Sequence, residues 1–274
     1  MICLMGKQEE KYNIVTEAEN LHRAGNFAKA ETIYRKVLQG NPKHSEALRL
    51  LGLLAHQTGN SEQGINLILQ AINAQPENVE AHFNLGIIKL DHNLAGEAIG
   101  AFRAALSISP KNYACLVNLG NALVIAEDFS EAIKQSNLAL EIDPDNVEAL
   151  SNLGNALSKS GKLTDAMSIL RRTVLLRPND SQLFNNLGII EQTIGLIESA
   201  NRTYEEALRI NPQCQRAERN LLINTLNLPN QKSDSLFEVR RGYGMKYNRH
   251  NLDSNKFSNR NKEINRKLRI GYLS

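Results

Sequence analysis

Five asparagines recur at one interval: Asn84, Asn118, Asn152, Asn186 and Asn220 stand 34 residues apart. Each carboxamide carries both a donor and an acceptor. A row of them can therefore bond the N–H and the C=O of a polypeptide backbone without reading its side chains. This is binding chemistry, and the residue types that make and break bonds are scattered by comparison. His22, His44, His56, His82, His92 and His250 show no metal-ligand spacing such as HExxH, and each is expected at the surface or between helices. No GxxxxGK phosphate loop is present, and no Ser/His/Asp grouping stands out along the chain. Cys3, Cys115 and Cys214 lie too far apart for a CxxC pair or a disulfide framework, so they read as inert thiols in a reducing compartment. The opening "MICLMGKQEEKY" turns charged before a signal-peptide core can form, and no later run reaches membrane-spanning length. A cytoplasmic protein with no bound metal, no cofactor in this chain and no membrane partner is expected.

The elements that must position these amides follow the same period. Pro42, Pro76, Pro110, Pro144, Pro178 and Pro212 are spaced by 34, as are Gly52, Gly86, Gly120, Gly154 and Gly188, with Ala18 at the equivalent earlier place. A third series, Ala30, Gly64, Ala98, Ala132, Ala166 and Ala200, keeps the same step. Each unit holds two helical segments, so the repeating element is a helical hairpin. In the fifth unit Leu150, Leu153 and Leu157 are read onto one helix face and Leu170, Val174 and Leu175 onto another. A mid-helix glycine costs about 1 kcal/mol against alanine, so five in phase imply a compensating close approach of the facing helix at the small-residue series. Asn78, Asn112, Asn146 and Asp180 are placed to cap first helices, with Glu80 and Glu148 in the first turn. Gly25, Gly59, Gly161 and Gly195 suit left-handed C-caps; Asn93 can substitute, and Glu127 is a weaker stop. His82 and Lys89 on an apolar stripe, and Ser136 where its counterparts are bulky, are departures from the pattern.

With this period, these prolines and these small residues, the chain is identified as a member of the tetratricopeptide-repeat family over residues 11–214. The fold class that follows is all-α: a right-handed α-solenoid of six helical hairpins (11–44, 45–78, 79–112, 113–146, 147–180 and 181–214). Residues 1–10 form a lead-in, and 215–228 a lone closing helix that caps the open face of the array. The family resemblance implies that first helices line the concave side. The asparagine lies two residues before the glycine, about 200° around the helix, and so is expected to face away from the packed seam. With neighbouring helices 8–10 Å apart, rungs of the ladder should stand ~10 Å apart, about three residues of an extended chain. The position before the asparagine varies freely (Phe83, Val117, Ser151, Asn185, Arg219) while the asparagine persists. Asn121 and Asn155 occur in two units only. The carboxylate clamp of tetratricopeptide co-chaperones, which uses paired Lys and Arg on successive first helices, is not expected: Arg49 stands alone there and Leu53 occupies the clamp's asparagine place.

The small net charge of +3 conceals an asymmetry. Residues 229–274 carry eleven Lys/Arg against four Asp/Glu, a net of +7, which leaves −4 for residues 1–228. Residues 229–266 read as a polar linker with one short helix in "SDSLFEVRRGYGMKYNRH", and 267–274, "KLRIGYLS", as the opening of a strand. Without an aromatic platform or a recognised module, the basic tail reads as a solvated linker and not a nucleic-acid site. This succession of asparagine ladder, "SLFEVRRGYGMKY" helix and "RKLRIGYLS" strand resembles the junction between repeat arm and catalytic region in SPINDLY-like and O-GlcNAc-transferase-like protein glycosyltransferases. It departs from them in lacking a Trp found in bacterial relatives, whose place Tyr243 fills. The resemblance implies a parent enzyme that transfers a sugar, usually GlcNAc from UDP-GlcNAc, to Ser or Thr hydroxyls, without metal, while the repeat groove guides the acceptor polypeptide. The catalytic residues would lie beyond Ser274, so this chain is expected to be inactive alone. Its partners would be unstructured segments of acceptor proteins or, if the enzyme is split, a separate catalytic chain. The alternative is a free-standing interaction scaffold.

Overall fold

The computed structural model describes residues 14–227, and the expectations for residues 1–13 and 228–274 lie outside them. The described residues form thirteen helices and no strand. After α1 (residues 14–23), the second helices of the hairpins are α2 (Phe27–Gly40), α4 (Ser61–Ala74), α6 (Ala95–Ile108), α8 (Phe129–Ile142), α10 (Leu163–Leu176) and α12 (Ile197–Ile210). The later first helices are α3 (Ser45–Gln57), α5 (Val79–Asp91), α7 (Tyr113–Ile125), α9 (Val147–Lys159) and α11 (Ser181–Thr193), followed by α13 (Gln215–Asn227). The second helices all have 14 residues, and the first helices from α3 to α11 have 13. From α3 to α12 each helix packs on the next, and α3, α5, α7 and α9 also touch in sequence. The chain divides into two compact units at Ala217 and Glu218, with α1 to α12 in the first.

The ends of the helices follow from local chemistry. His44, Asn78, Asn112, Asn146 and Asp180 each accept a backbone N–H within the first turn of the helix that they open, satisfying a donor that has no partner inside the helix. First helices stop on a left-handed residue in every hairpin: Gly25, Gly59, Asn93, Glu127, Gly161 and Gly195 all have positive φ. The following N–H reaches back five residues, as Asn26 does to the Leu21 carbonyl at 2.8 Å and Asp128 to that of Leu123 at 2.9 Å. Glu127 is therefore no weaker a stop than the glycines in geometry. Its side chain instead carries the strain of φ 61°.

The seams between hairpin helices are tightest at the glycine series. A Cβ on Gly52 would stand 2.8 Å from the Gly64 carbonyl oxygen, so these two backbones touch. A Cβ on Gly86 or Gly188 would come within 2.5 Å of the Phe102 or Tyr204 ring, and one on Gly154 within 2.9 Å of Leu170. Gly120 differs, because its facing residue is Ser136, which is 1 % exposed and whose hydroxyl has no hydrogen-bond partner. Leu150, Leu153, Leu157, Leu170 and Val174 are buried as their spacing predicts. Leu175 corrects the reading: it is 80 % exposed. Five residues after Leu170 is about 140° around the helix, which carries it off the apolar face.

Two polar residues on the α5 stripe find partners. Lys89 bonds Glu97 at 2.6 Å, and His82 leaves the stripe to bond the Pro76 carbonyl at 2.9 Å. Glu191 is 2 % exposed at the place where α3, α7 and α9 bury Ala55, Leu123 and Leu157. It accepts from Arg171 at 3.2 Å, Ser199 at 2.9 Å and Thr203 at 2.7 Å, which compensates its loss of water. Beside it the Tyr204 hydroxyl donates to Gln192 at 2.7 Å, its phenol pushed up to about 12 by burial and then by the Glu191 charge.

Candidate functional site

The asparagine series sits on first helices as expected, but its members are not equivalent. Asn118, Asn152 and Asn186 are half-buried, whereas Asn84 is only 6 % exposed and its Nδ2 has no hydrogen-bond partner. The expectation that all face away from packed surfaces needs correction. Asn152 donates from Nδ2 to the Val117 carbonyl of α7 at 3.0 Å, reaching over the Gly120 turn of the preceding first helix. Asn118 donates to its own Ala114 carbonyl at 2.9 Å. The Asn186 Oδ1 accepts from Asn185 at 3.5 Å. Asn220 lies on α13 in the second unit and is already engaged with other residues.

These bonds change what the ladder can do. With one Nδ2 hydrogen committed, Asn118 and Asn152 are each held in one orientation and keep Oδ1 as an acceptor beside the second Nδ2 hydrogen. The amide orientation is fixed by the carbonyl acceptors, since a carbonyl can bond only the nitrogen end. Between these rungs the first-helix positions are neutral or apolar: Val117, Asn121, Ser151, Asn155 and Ile189.

The opposite end of the first-helix face is charged and hollow. A cavity of about 780 Å³ is lined from three first helices, by Glu19, His22 and Arg23 of α1, Arg49, Leu53 and Gln57 of α3, and Glu80 of α5. At its wall His22 is buried; its Nε2 donates to Gln57 Oε1 at 2.7 Å, which leaves Nδ1 to accept from the Tyr34 hydroxyl at 3.4 Å. Burial, then the Glu19 charge, pushes the Tyr34 phenol up to about 12. Arg49 is 8 % exposed and bonds Glu46 through both Nε and Nη2. Burial works against its charge, yet the bond to Glu46 and the charges of Glu46, Glu80 and Glu19 outweigh this and hold the guanidinium more firmly protonated than usual. It is not available to clamp a partner's carboxylate. A second cavity of about 460 Å³ shares Glu19 and Glu80 with the first and adds Glu46, Glu77 and His44.

One grouping escaped the sequence. His56 bonds Asp91 through Nε2 and Ser61 through Nδ1, each at 2.9 Å, although Asp91 lies 35 residues away. The polarity matches a base-activated hydroxyl. None of the three lines either of the two cavities, and the chain of bonds ties α3, α4 and α5 together. Cys115 and Cys214 are buried and unpaired, and burial, then Glu80, pushes the Cys115 thiol up to about 12. Among the described residues no group of three His, Cys, Asp or Glu side chains converges on a metal position, and no helix is long and apolar enough to cross a membrane.

Consecutive hairpins sharing one line of first helices define a helical repeat array that presents a side-chain-lined face. Tetratricopeptide-repeat models match residues 21–86 and 123–187, and a further one residues 181–214, more than half of the sequence together. The chain belongs to the tetratricopeptide-repeat family, whose arrays serve as protein–protein interaction scaffolds. No curated protein matches it in sequence. Among solved structures it is similar to YrrB, a TPR protein with an unusual peptide-binding site, at 21% identity and TM-score 0.60 over 68% of this chain and 96% of that one. It is also similar to pilF of Pseudomonas aeruginosa, at 14% identity and TM-score 0.69 over 78% and 98%. A thermophilic TPR protein of Thermus thermophilus aligns at 16% identity and TM-score 0.53 over 66% and 99%. At these identities the likeness concerns the fold.

Proposed function

We propose that the array holds extended, unstructured segments of partner proteins along its first helices, with Asn118 and Asn152 at the centre of the contact. The observation that carries this is the pair of carboxamides locked by their own Nδ2 bonds, with Oδ1 left to accept. A locked acceptor loses little rotamer entropy on binding, and backbone N–H groups are the one donor that every extended segment offers. Asn186 extends the row, and Asn84 joins it only if its buried amide turns outward. The fold shared with YrrB, described as having a peptide-binding site, supports the same reading.

The finer assignment, an acceptor-recognition arm of a SPINDLY-like protein O-glycosyltransferase, rests on residues 233–274, outside the described residues. It adds a testable corollary: this chain alone transfers no sugar from UDP-GlcNAc, whereas its fusion to a catalytic region encoded downstream does. A downstream reading frame unrelated to glycosyltransferases removes the assignment and leaves the interaction scaffold in a cytoplasmic setting.

The binding claim is tested by fluorescence anisotropy with a labelled twelve-residue peptide of Ser, Thr and Ala. Asn118→Ala with Asn152→Ala is expected to weaken binding about tenfold, the worth of one to two hydrogen bonds. Circular dichroism checks that helicity survives the loss of the Asn152 bond. Unchanged affinity in a folded double variant refutes the role given to these amides.

A further inference from the structure

One large side chain anchors each second helix in its hairpin, and α8 lacks it. Tyr34, Ile68, Phe102, Leu170 and Tyr204 occupy one repeat position on α2, α4, α6, α10 and α12, and each is at most 1 % exposed. On α8 that position holds Ser136. The residues that α8 buries are Ala132, Gln135, Ser136 and Ala139, none of them a large apolar side chain. Its larger apolar residues go elsewhere: Leu138 and Ile142 are 36 % and 46 % exposed, and Ile133 and Leu140 are half-buried. Apolar surface taken from water sets how firmly a helix is held, so α8 is the least anchored of the second helices.

Two further features of the fourth hairpin act in the same direction. The Ser136 hydroxyl is enclosed and has no hydrogen-bond partner among the described residues, so seating α8 on α7 takes it out of water without compensation. The turn from α7 to α8 is closed by Glu127 at φ 61°, where the other hairpins use glycine or, once, asparagine, which bear the left-handed region better. Hairpins inside a stack have a neighbour on each side and are ordinarily its most protected part, while the ends fray. The fourth hairpin sets a poor anchor and a strained turn at an interior position.

We infer that α8 is an internal joint of the array: it lifts from α7 and unwinds as a unit while the hairpins on either side stay folded. A 14-residue helix cut off from its neighbours is at the margin of stability in water, so its backbone hydrogen bonds open when it lifts. The line of first helices survives the release, because α6 still backs α7 and Asn152 on α9 still bonds the Val117 carbonyl. The joint is independent of what the first-helix face binds.

Native-state hydrogen exchange on the full chain tests this. Mid-helix amides of α8 are expected to exchange about tenfold faster than those of α6 and α10. Ser136→Leu copies the arrangement of Leu170 opposite Gly154 and should bring α8 to the rate of α10. Glu127→Gly, which leaves the seam untouched, should slow α8 by about threefold through relief of the turn. If Ser136→Leu overpacks the seam and does not fold, the parent and Glu127→Gly decide the matter. Amides of α8 as protected as those of α6 and α10 overturn the joint, and so does fast exchange at α8 that none of the folded variants slows.

Discussion

The two ends of the first-helix face solve different problems. Around α1, α3 and α5 the face is hollow and charged, with an arginine buried under carboxylates. Around α7 and α9 it is lined by amides, small polar residues and apolar residues, and the hydrogen bonds there fix side chains without adding charge. The seams behind the two ends differ as well. Gly52 and Gly64 bring backbones into contact in the second hairpin, whereas Gly120 in the fourth faces a lone serine hydroxyl. One repeat template thus tolerates either a close seam below a charged hollow or a relaxed seam below a neutral strip. Packing is shared through backbone spacing, and chemistry is written on the positions that spacing leaves over.

The largest effect should come from forcing the two seams to exchange character. Gly52→Ala drives a methyl against the Gly64 carbonyl and Ile68, neither of which can swing away, and is expected to cost about 3 kcal/mol. Gly120→Ala meets the Ser136 hydroxyl at 3.0 Å and otherwise only ordinary contacts at 3.9 Å, so the gain in helix propensity leaves stability within about 1 kcal/mol of the parent. Urea denaturation of the two variants measures the contrast, and equal losses would dissolve it. A smaller gain, about 1 kcal/mol, is expected from Ser136→Ala, because the buried hydroxyl has no partner to lose. Glu127→Gly should stabilise by a similar or slightly smaller amount by releasing the left-handed strain that glycine bears freely. If thermal melts show Glu127→Gly to be destabilising, the strain assigned to that turn is absent.

The smallest effect near neutral pH is an alkaline destabilisation spread along the array. Tyr34 in the first hairpin, Cys115 on α7 and Tyr204 in the sixth hairpin keep their protons up to about 12 in the fold, against ordinary values of 10.0 for a phenol and 9.0 for a thiol. The unfolded chain gives up these protons first, so the stability they contribute is complete below about pH 9 and declines as pH rises toward 12. Melting temperature should therefore fall between these limits. Cys115→Ala should flatten the part near pH 9, and a decline unchanged by that substitution would assign it elsewhere.

The hairpins, their ends and the seams were legible because they depend on local rules repeated many times. Proline at one place, glycine at another and a capping Asn or Asp two residues after the proline leave one arrangement that satisfies every helix. Leu175 was misplaced because a helix face was counted too generously. Glu191 was unreadable as a buried residue, since its three donors come from two other helices. The bond from Asp91 through His56 to Ser61, and the sharing of Glu19 and Glu80 by two cavities, depend likewise on which helix lies alongside which. One signal for the charged end was available, the recurrence of Glu46 and Glu80 one repeat apart, but their first-turn positions gave it an ordinary meaning.

By itself the sequence determined the period, the helix limits and the helices on which the amides ride, because backbone geometry and side-chain size act over a few residues. Only the tertiary structure decided that Asn152 spends one Nδ2 donor on α7, that Asn84 is enclosed, and that Glu19, Glu46, Glu77 and Glu80 line adjoining cavities at α1, α3 and the start of α5. Hydrogen bonds and charges act across the gaps between helices, and those gaps exist only once the hairpins are stacked.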